Sequence, residues 1–348
     1  MIFAVSMAMG QTNNISDIVE SGTNQEATVD QQGLGDNTSY VTQQNANNVA
    51  TVTQINSVFE GSAEDDDNLS TVLQTGKGND ATVSQTNDHG AGTYAGEGGV
   101  LEAEIEQSGN NNDAEQIQGP ANQMGTSLAS ILQSGNGNTA FQHQLKYSNS
   151  AYIVQSGNGN TAMQAQDTEL PEVGSANTAS IDQSGHNNNS EQEQNGWTNN
   201  VEATQSGNGN NAWQTQANNS WVSNSTVMQS GNNNSANQYS LDNLNDALIE
   251  QYSNGNSASQ RQLSGNATPA SYPALNNAEI YQWGGNGNDA IQIQINLEGN
   301  VSNHAIIWQN GAGNTATQNQ WSGFNSSTIS QTGNGHIANL TQSQSISQ

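Results

Sequence analysis

The 348-residue chain has no cysteine, only three cationic residues and only four prolines, and each shortage removes a class of explanation. Without cysteine there are neither disulfides nor thiolate metal sites to hold the fold together, so stability must come from stacking. Lys77, Lys146 and Arg261 stand against 31 acidic residues, for a formal net charge of -28. The cationic footprint that phosphate binding needs is missing, so nucleic acid and anionic membranes are poor partners. Long hydrophobic runs are missing too. The one continuous apolar stretch, MIFAVSMAMG at the start, is far too short to span a bilayer. Hydrophobic residues make up 31% of the chain and charged residues 10%. Composition alone would therefore suggest disorder or a prion-like tract.

Spacing argues the opposite. The motif Gln-x-Gly-x-x-Asn-x-Ala-x-x-x-Gln returns along nearly the whole chain, most clearly from Gln74, Gln133, Gln155, Gln205, Gln309 and Gln331. Aligning on its first position gives thirteen units, which start at Glu20, Gln43, Gln74, Gln107, Gln133, Gln155, Gln183, Gln205, Gln229, Gln251, Gln282, Gln309 and Gln331. Glu20 stands in for the first glutamine, Asn45 and Ser253 stand in for the glycine, and the Gln282 unit carries one extra residue beside Trp283. A second half-motif precedes each glutamine, as in Asn177, Ala179, Ile181, Gln183. The half that follows reads as Asn210, Ala212, Gln214, Gln216. Both alternate with period two, which is the periodicity of a strand and not of a helix.

Each unit is therefore strand, turn, strand, turn, and the expected fold is all-β: a β-solenoid of two parallel in-register sheets, with a repeat of about 22 residues and about 13 rungs. One solenoid domain is expected over residues 13–348, preceded at 1–12 by a residual signal-peptide-like or frayed segment. The inward rows should be Asn, Ala or Ser, Ile or Val, and Gln from the first strand, and Asn, Ala, Gln or Val, and Gln from the second. Stacked at about 4.8 Å per rung, like residues lie over like and their amides pair as ladders. Glycine in the turn supplies positive φ without a Cβ clash. The other corner absorbs insertions at 55–67, 86–100, 119–126, 167–176, 263–275 and 295–302. Pro120, Pro171, Pro269 and Pro273 all fall in these insertions and outside the expected strands.

No catalytic, cofactor-binding or metal-ligating residue is assigned. Glu64, Asp65, Asp66 and Asp67 form an acidic insertion that reads as solvated. Glu102, Glu104 and Glu106 alternate and should share an outward face. His89, His143, His186, His304 and His336 lack ligand spacing. Trp213, Phe141 and Met163 occupy outward places where neighbouring rungs would make a small apolar stripe. Arg261 has no acidic cluster of the kind a polysaccharide-cleaving β-helix needs, so the chain is not expected to be an enzyme.

These units resemble the curlin repeat, Ser-x5-Gln-x-Gly-x2-Asn-x-Ala-x3-Gln, over about residues 14 to 344 apart from the inserts. The chain departs from it where Asn replaces the leading Ser, as at Asn68, Asn149, Asn177 and Asn303, while Ser127 and Ser223 keep it. The resemblance implies a solenoid subunit of extracellular curli-like amyloid fibres in a bacterial biofilm matrix. It also implies export through a dedicated outer-membrane secretion pore and nucleation at the cell surface by a minor subunit. Independently of the family, the repeat is in force by Asn14 and still at Gln342, so the units around Glu20 and Gln331 are expected to form a head-to-tail contact between copies. The competing expectation is a monomeric secreted β-solenoid binding protein of the ice-binding or adhesin type, which calls for a regular outward motif.

Overall fold

The computed structural model describes residues 4–7, 14–33, 35–57, 67–88, 99–121, 126–145, 148–167, 176–241, 244–264, 276–296 and 302–343, and among these there is no helix. The chain divides into two compact units, Met1–Ala179 and Ser180–Gln348, and each is a β-solenoid.

The first unit holds β1 (Ala4–Met7), β2 (Ile15–Thr23), β3 (Glu26–Gly33), β4 (Asp36–Ala46), β5 (Val49–Ser57), β6 (Asp67–Lys77), β7 (Asp80–Asp88), β8 (Val100–Asn110), β9 (Asp113–Ala121), β10 (Ser127–Asn136), β11 (Thr139–Leu145), β12 (Ser150–Asn158) and β13 (Thr161–Asp167). At the division lies β14 (Thr178–His186). The second unit continues with β15 (Asn189–Trp197), β16 (Asn200–Asn208), β17 (Asn211–Trp221), β18 (Asn224–Asn232), β19 (Ser235–Leu241), β20 (Asn245–Gln251), β21 (Ser257–Ser264), β22 (Asn276–Gly284), β23 (Asp289–Asn296), β24 (Asn303–Gly311), β25 (Thr315–Trp321), β26 (Asn325–Thr332) and β27 (Ile337–Ser343). Within each unit the odd-numbered strands form one parallel sheet and the even-numbered strands another, so each interior strand pairs with the strands two before and two after it.

Register follows the repeat. Ile131 lies between Ile105 and Ile153, and Gln133 between Gln107 and Gln155. Gln282 stacks on Gln251 and Gln309 despite the extra residue in its unit. The rows expected to face inward are the buried ones, including Ala103, Ile105, Gln107, Ala114, Gln116 and Gln118. Alanine on both sheets leaves room for the glutamines to reach across the narrow interior.

Within the ladders the core glutamines make two kinds of bond. Along the stack, one Nε2 hydrogen goes to the Oε1 of the next glutamine: Gln43 to Gln74 at 2.7 Å, Gln74 to Gln107 at 2.9 Å, Gln107 to Gln133 at 2.8 Å and Gln133 to Gln155 at 2.9 Å. Across the stack, the other reaches a backbone carbonyl of the opposite sheet, as Gln133 donates to Asp113 O at 2.9 Å. The second unit repeats this from Gln183 through Gln205, Gln229, Gln251, Gln282 and Gln309 to Gln331. All these glutamines donate toward the C-terminus. The buried asparagines donate the other way: Asn68 to Asn37 at 2.9 Å, Asn276 to Asn245 at 3.0 Å and Asn325 to Asn303 at 3.0 Å.

Opposed polarity explains three of the buried amide oxygens that lack a partner. A glutamine ladder leaves its first Oε1 without a donor, and Gln43 and Gln116 are in that position, Gln116 because Val83 precedes it in the stack. An asparagine ladder leaves its last Oδ1 unpaired, and Asn68 does so because Leu101 follows it.

The glycine of the motif is needed for a tighter reason than its turn. A Cβ on Gly135 would run into the carbonyl oxygen of Gly157 on the next rung, whereas a Cβ on Gly137 would meet nothing within 4 Å. Both have positive φ, 106° and 63°.

The insertions do enter at one corner, between an odd-numbered strand and the next even-numbered one, but their limits need correcting. Ile55, Asn56 and Ser57 belong to β5, Thr86 to Asp88 to β7, and Ile295 and Asn296 to β23. Pro120 is likewise inside a strand, β9. Register against β7 shifts there, from Gln85 opposite Gln118 to Asn87 opposite Ala121, so two residues of β9 face one. At such a bulge the missing proline N–H costs no ladder bond. Pro171, Pro269 and Pro273 lie outside the described residues. Of the segment read as signal-like, Ala4–Met7 runs parallel to β3.

Two comparisons test this packing. Gly135→Ala should destabilise the chain by roughly 3 kcal/mol or more, and Gly137→Ala by only about 1 kcal/mol, the cost of its φ. Gln142→Val, which leaves an unpaired donor on Gln116 and an unpaired acceptor on Gln164, should cost about 1–3 kcal/mol more than Gln116→Val, which leaves one unpaired acceptor. Denaturant unfolding of the four variants measures both differences.

Candidate assembly and binding surfaces

At the outermost described strands the inward rows lose their cover. Val41 and Val72 are fully buried, but Ile18, the corresponding residue of β2, is half-buried. At the other extreme Ala316, Gln318 and Gln320 of β25 are fully buried, while Ala338, Leu340 and Gln342 of β27 are half-buried. Among the described strands, β2 pairs only with β4, β26 only with β24 and β27 only with β25. Each therefore presents one edge of backbone N–H and C=O groups. Such edges template another strand unless they are covered.

A second surface lies on the outward side of β20, β22 and β24. Tyr281 packs on Trp308 with ring centroids 4.5 Å apart, and Trp283 meets Trp308 edge-on at 5.1 Å. Tyr252 reaches Trp283 at 6.3 Å. Trp308 and Tyr252 remain exposed. Acidic groups border the rings: the Tyr281 hydroxyl donates to Glu279 Oε2 at 2.9 Å, and His304 stands 3.9 Å from Glu279. Burial, the bond to Glu279 and nearby carboxylates push the Tyr281 phenol far above its ordinary range. Burial and the charge and hydrogen bond of Glu250 raise Tyr252 as well. Beside the rings, a shallow pocket of about 160 Å³ is lined by Thr226, Asp246, Leu248, Asn277 and Glu279. Burial first, and the charge of Glu279 second, raise the Asp246 carboxyl above the usual carboxylate range.

The residues singled out from sequence fare differently. Phe141 and Met163 are neighbours on β11 and β13. Trp213, in the second unit, lies between Glu191 and Asn237 on the neighbouring strands. Glu102, Glu104 and Glu106 do share an exposed face, and each has neutral residues above and below: Leu69 and Leu128, Thr71 and Ser130, Leu73 and Leu132. Arg261 lies 5.7 Å over the ring of Tyr239. Among the described residues no three His, Cys, Asp or Glu side chains gather as a metal site. Glu64, Asp65, Asp66 and His89 lie outside the described residues. Sequence reasoning missed the Tyr281 and Trp308 pair. Its signal was their shared place immediately before the unit glutamines Gln282 and Gln309.

The Asp246 shift gives a pH prediction. A folded pKa above the unfolded one means that stability is lost as pH rises through the folded value. Asp246→Asn should therefore raise the thermal unfolding midpoint at about pH 7 and leave it close to wild type at about pH 3, where Asp246 is protonated in both states.

No protein-family profile matches the chain, and no curated protein matches it.

Proposed function

We propose that the chain is a structural subunit that assembles head-to-tail, copy on copy, into extracellular curli-like amyloid fibres serving cohesion and adhesion in a biofilm matrix. The observations that carry this reading are the half-buried inward rows of β2 and of β27 and, among the described strands, the backbone edges of β2, β26 and β27 that pair on one side only. The strands at the two edges carry the same repeat, so an edge at Gln331 is complementary to one at Glu20, and contact between two different edges is open and propagates. The curlin-like repeat supports the same reading and adds a secretion pore and a nucleating subunit as partners. A charge of -28 keeps unassembled chains apart by mutual repulsion that salt weakens. The aromatic and acidic patch around Tyr281 and Trp308 favours a second reading, a secreted solenoid that binds a ligand through this face.

Diluting purified chain from denaturant and imaging it by electron microscopy, with fibre diffraction alongside, separates the two. Assembly predicts filaments with a reflection at about 4.8 Å along the fibre axis. It also predicts that Ile329→Pro combined with Ala338→Pro stops elongation, because proline removes ladder donors on β26 and β27. A stable monodisperse monomer would instead favour the binding solenoid.

A further inference from the structure

The first-strand glutamine row begins with an acid. Glu20 of β2 is in register with Gln43 of β4, in the place that glutamine holds in the following units. From Gln43 onward the amides of this row donate to the next glutamine toward the C-terminus, as Gln43, Gln74 and Gln107 do, so the group before Gln43 must offer a hydrogen to Gln43 Oε1. An ionised carboxylate has none. Gln43 Oε1 is buried and without a hydrogen-bond partner, although Gln43 Nε2 is satisfied by Gln74 and by Glu26 O. At the opposite edge Gln331 accepts from Gln309 and donates to Thr315 O. One of its two amide hydrogens thus remains for whatever continues the row.

Resting on the assembly reading, we infer that Glu20 is an acid-responsive joint between copies of this chain: in its protonated form it accepts from the Gln331 amide of one copy and donates to Gln43 Oε1 of its own. The proton comes from solvent and sits on one Glu20 oxygen, and no other group changes state. In the free chain Glu20 is half-buried, and water can solvate the carboxylate. Once another rung covers it, Glu20 takes on the burial of Gln43, which is 0% exposed. An ionised Glu20 would then face a second acceptor away from water, an arrangement that favours taking up a proton. The charged groups on the elements packed around it are Asp17 on its own strand, Asp36 on β4, and Glu26 and Asp30 on β3. All are acidic. Joining copies therefore takes up a proton, and elongation is favoured as pH falls. The same polarity fixes the order of contact: an amide donor at Gln331 meets an acceptor at Glu20.

Seeded elongation of the full-length chain tests this, with sheared wild-type filaments as seeds and wild type, Glu20→Gln, Glu26→Gln and Gln331→Glu as monomers, between about pH 5 and pH 8. Glu26→Gln removes the same charge near the same edge without entering the row, so it corrects for general neutralisation. The expected result is that Glu20→Gln elongates about tenfold faster than Glu26→Gln near pH 8, the order of one buried hydrogen bond regained, with the two converging toward pH 5. Gln331→Glu should stall near pH 8, because a carboxylate then meets a carboxylate. Coincident pH profiles for Glu20→Gln and Glu26→Gln would overturn the joint while leaving assembly standing. No filaments from any variant at any pH would overturn the assembly reading and the joint together. In the unassembled chain, Glu20→Gln should also unfold at higher denaturant than Glu26→Gln near pH 8, and no difference there would overturn the Glu20 to Gln43 bond itself.

Discussion

A buried primary amide must find an acceptor for each of its two hydrogens and a donor for its own oxygen, and within a ladder of this chain the core glutamines find these partners one rung away and across the interior. That requirement organises the fold. A glutamine shifted by one residue would point outward, and its neighbours above and below would each lose a partner inside a region from which water is excluded. Isoleucine and valine rows contribute apolar burial of about 1.5–3 kcal/mol per side chain, but they tolerate sliding better than amides do. The aliphatic rows thus supply much of the driving force, and the amides supply the register. The transverse bonds, such as Gln133 to the carbonyl of Asp113, add a second constraint by tying the two sheets at a fixed separation.

Much of this was legible in the sequence because a ladder writes itself as repetition. The unit starts, the inward rows and the corner that takes insertions all follow from counting, and even Asn45 in a glycine's place adopts the positive φ, 77°, that the position requires. What counting could not reach depends on three-dimensional choices between equivalent patterns. Amide polarity is one: Gln and Asn letters carry no direction, which becomes visible only from the acceptors stranded at Gln43, Gln116 and Asn68. Pro120 is another, since a bulge shifts one strand against its neighbour without disturbing the spacing within either. The grouping of Tyr252, Tyr281, Trp283 and Trp308 was hidden by the insertion within 263–275, which separates in number residues that stacking brings together.

Stacking like over like has a cost for charge, and the placement of acids reflects it. Glu104 has Thr71 and Ser130 for vertical neighbours, Glu279 has Leu248 and Ile306, and Glu250 has Met228 and Tyr281. Where acids do stack, as Asp80 on Asp113, burial and the neighbouring charge raise the carboxyl of Asp80. The chain therefore carries a large negative charge while sparing most rungs a direct carboxylate contact, which keeps intermolecular repulsion compatible with intramolecular packing.

The antiparallel orientation of the two amide rows bears on how many rungs a stack can hold. In an α-helix every peptide dipole points the same way, and the sum appears as partial charges at the two termini. Here the glutamine side chains sum in one axial direction and the buried asparagines in the other, so their fields partly offset within each turn of the coil. Adding a turn therefore adds less axial moment than the glutamine rows alone would. A gene that duplicates a unit lengthens the protein while charging its extremities less than a stack of like-oriented amides would.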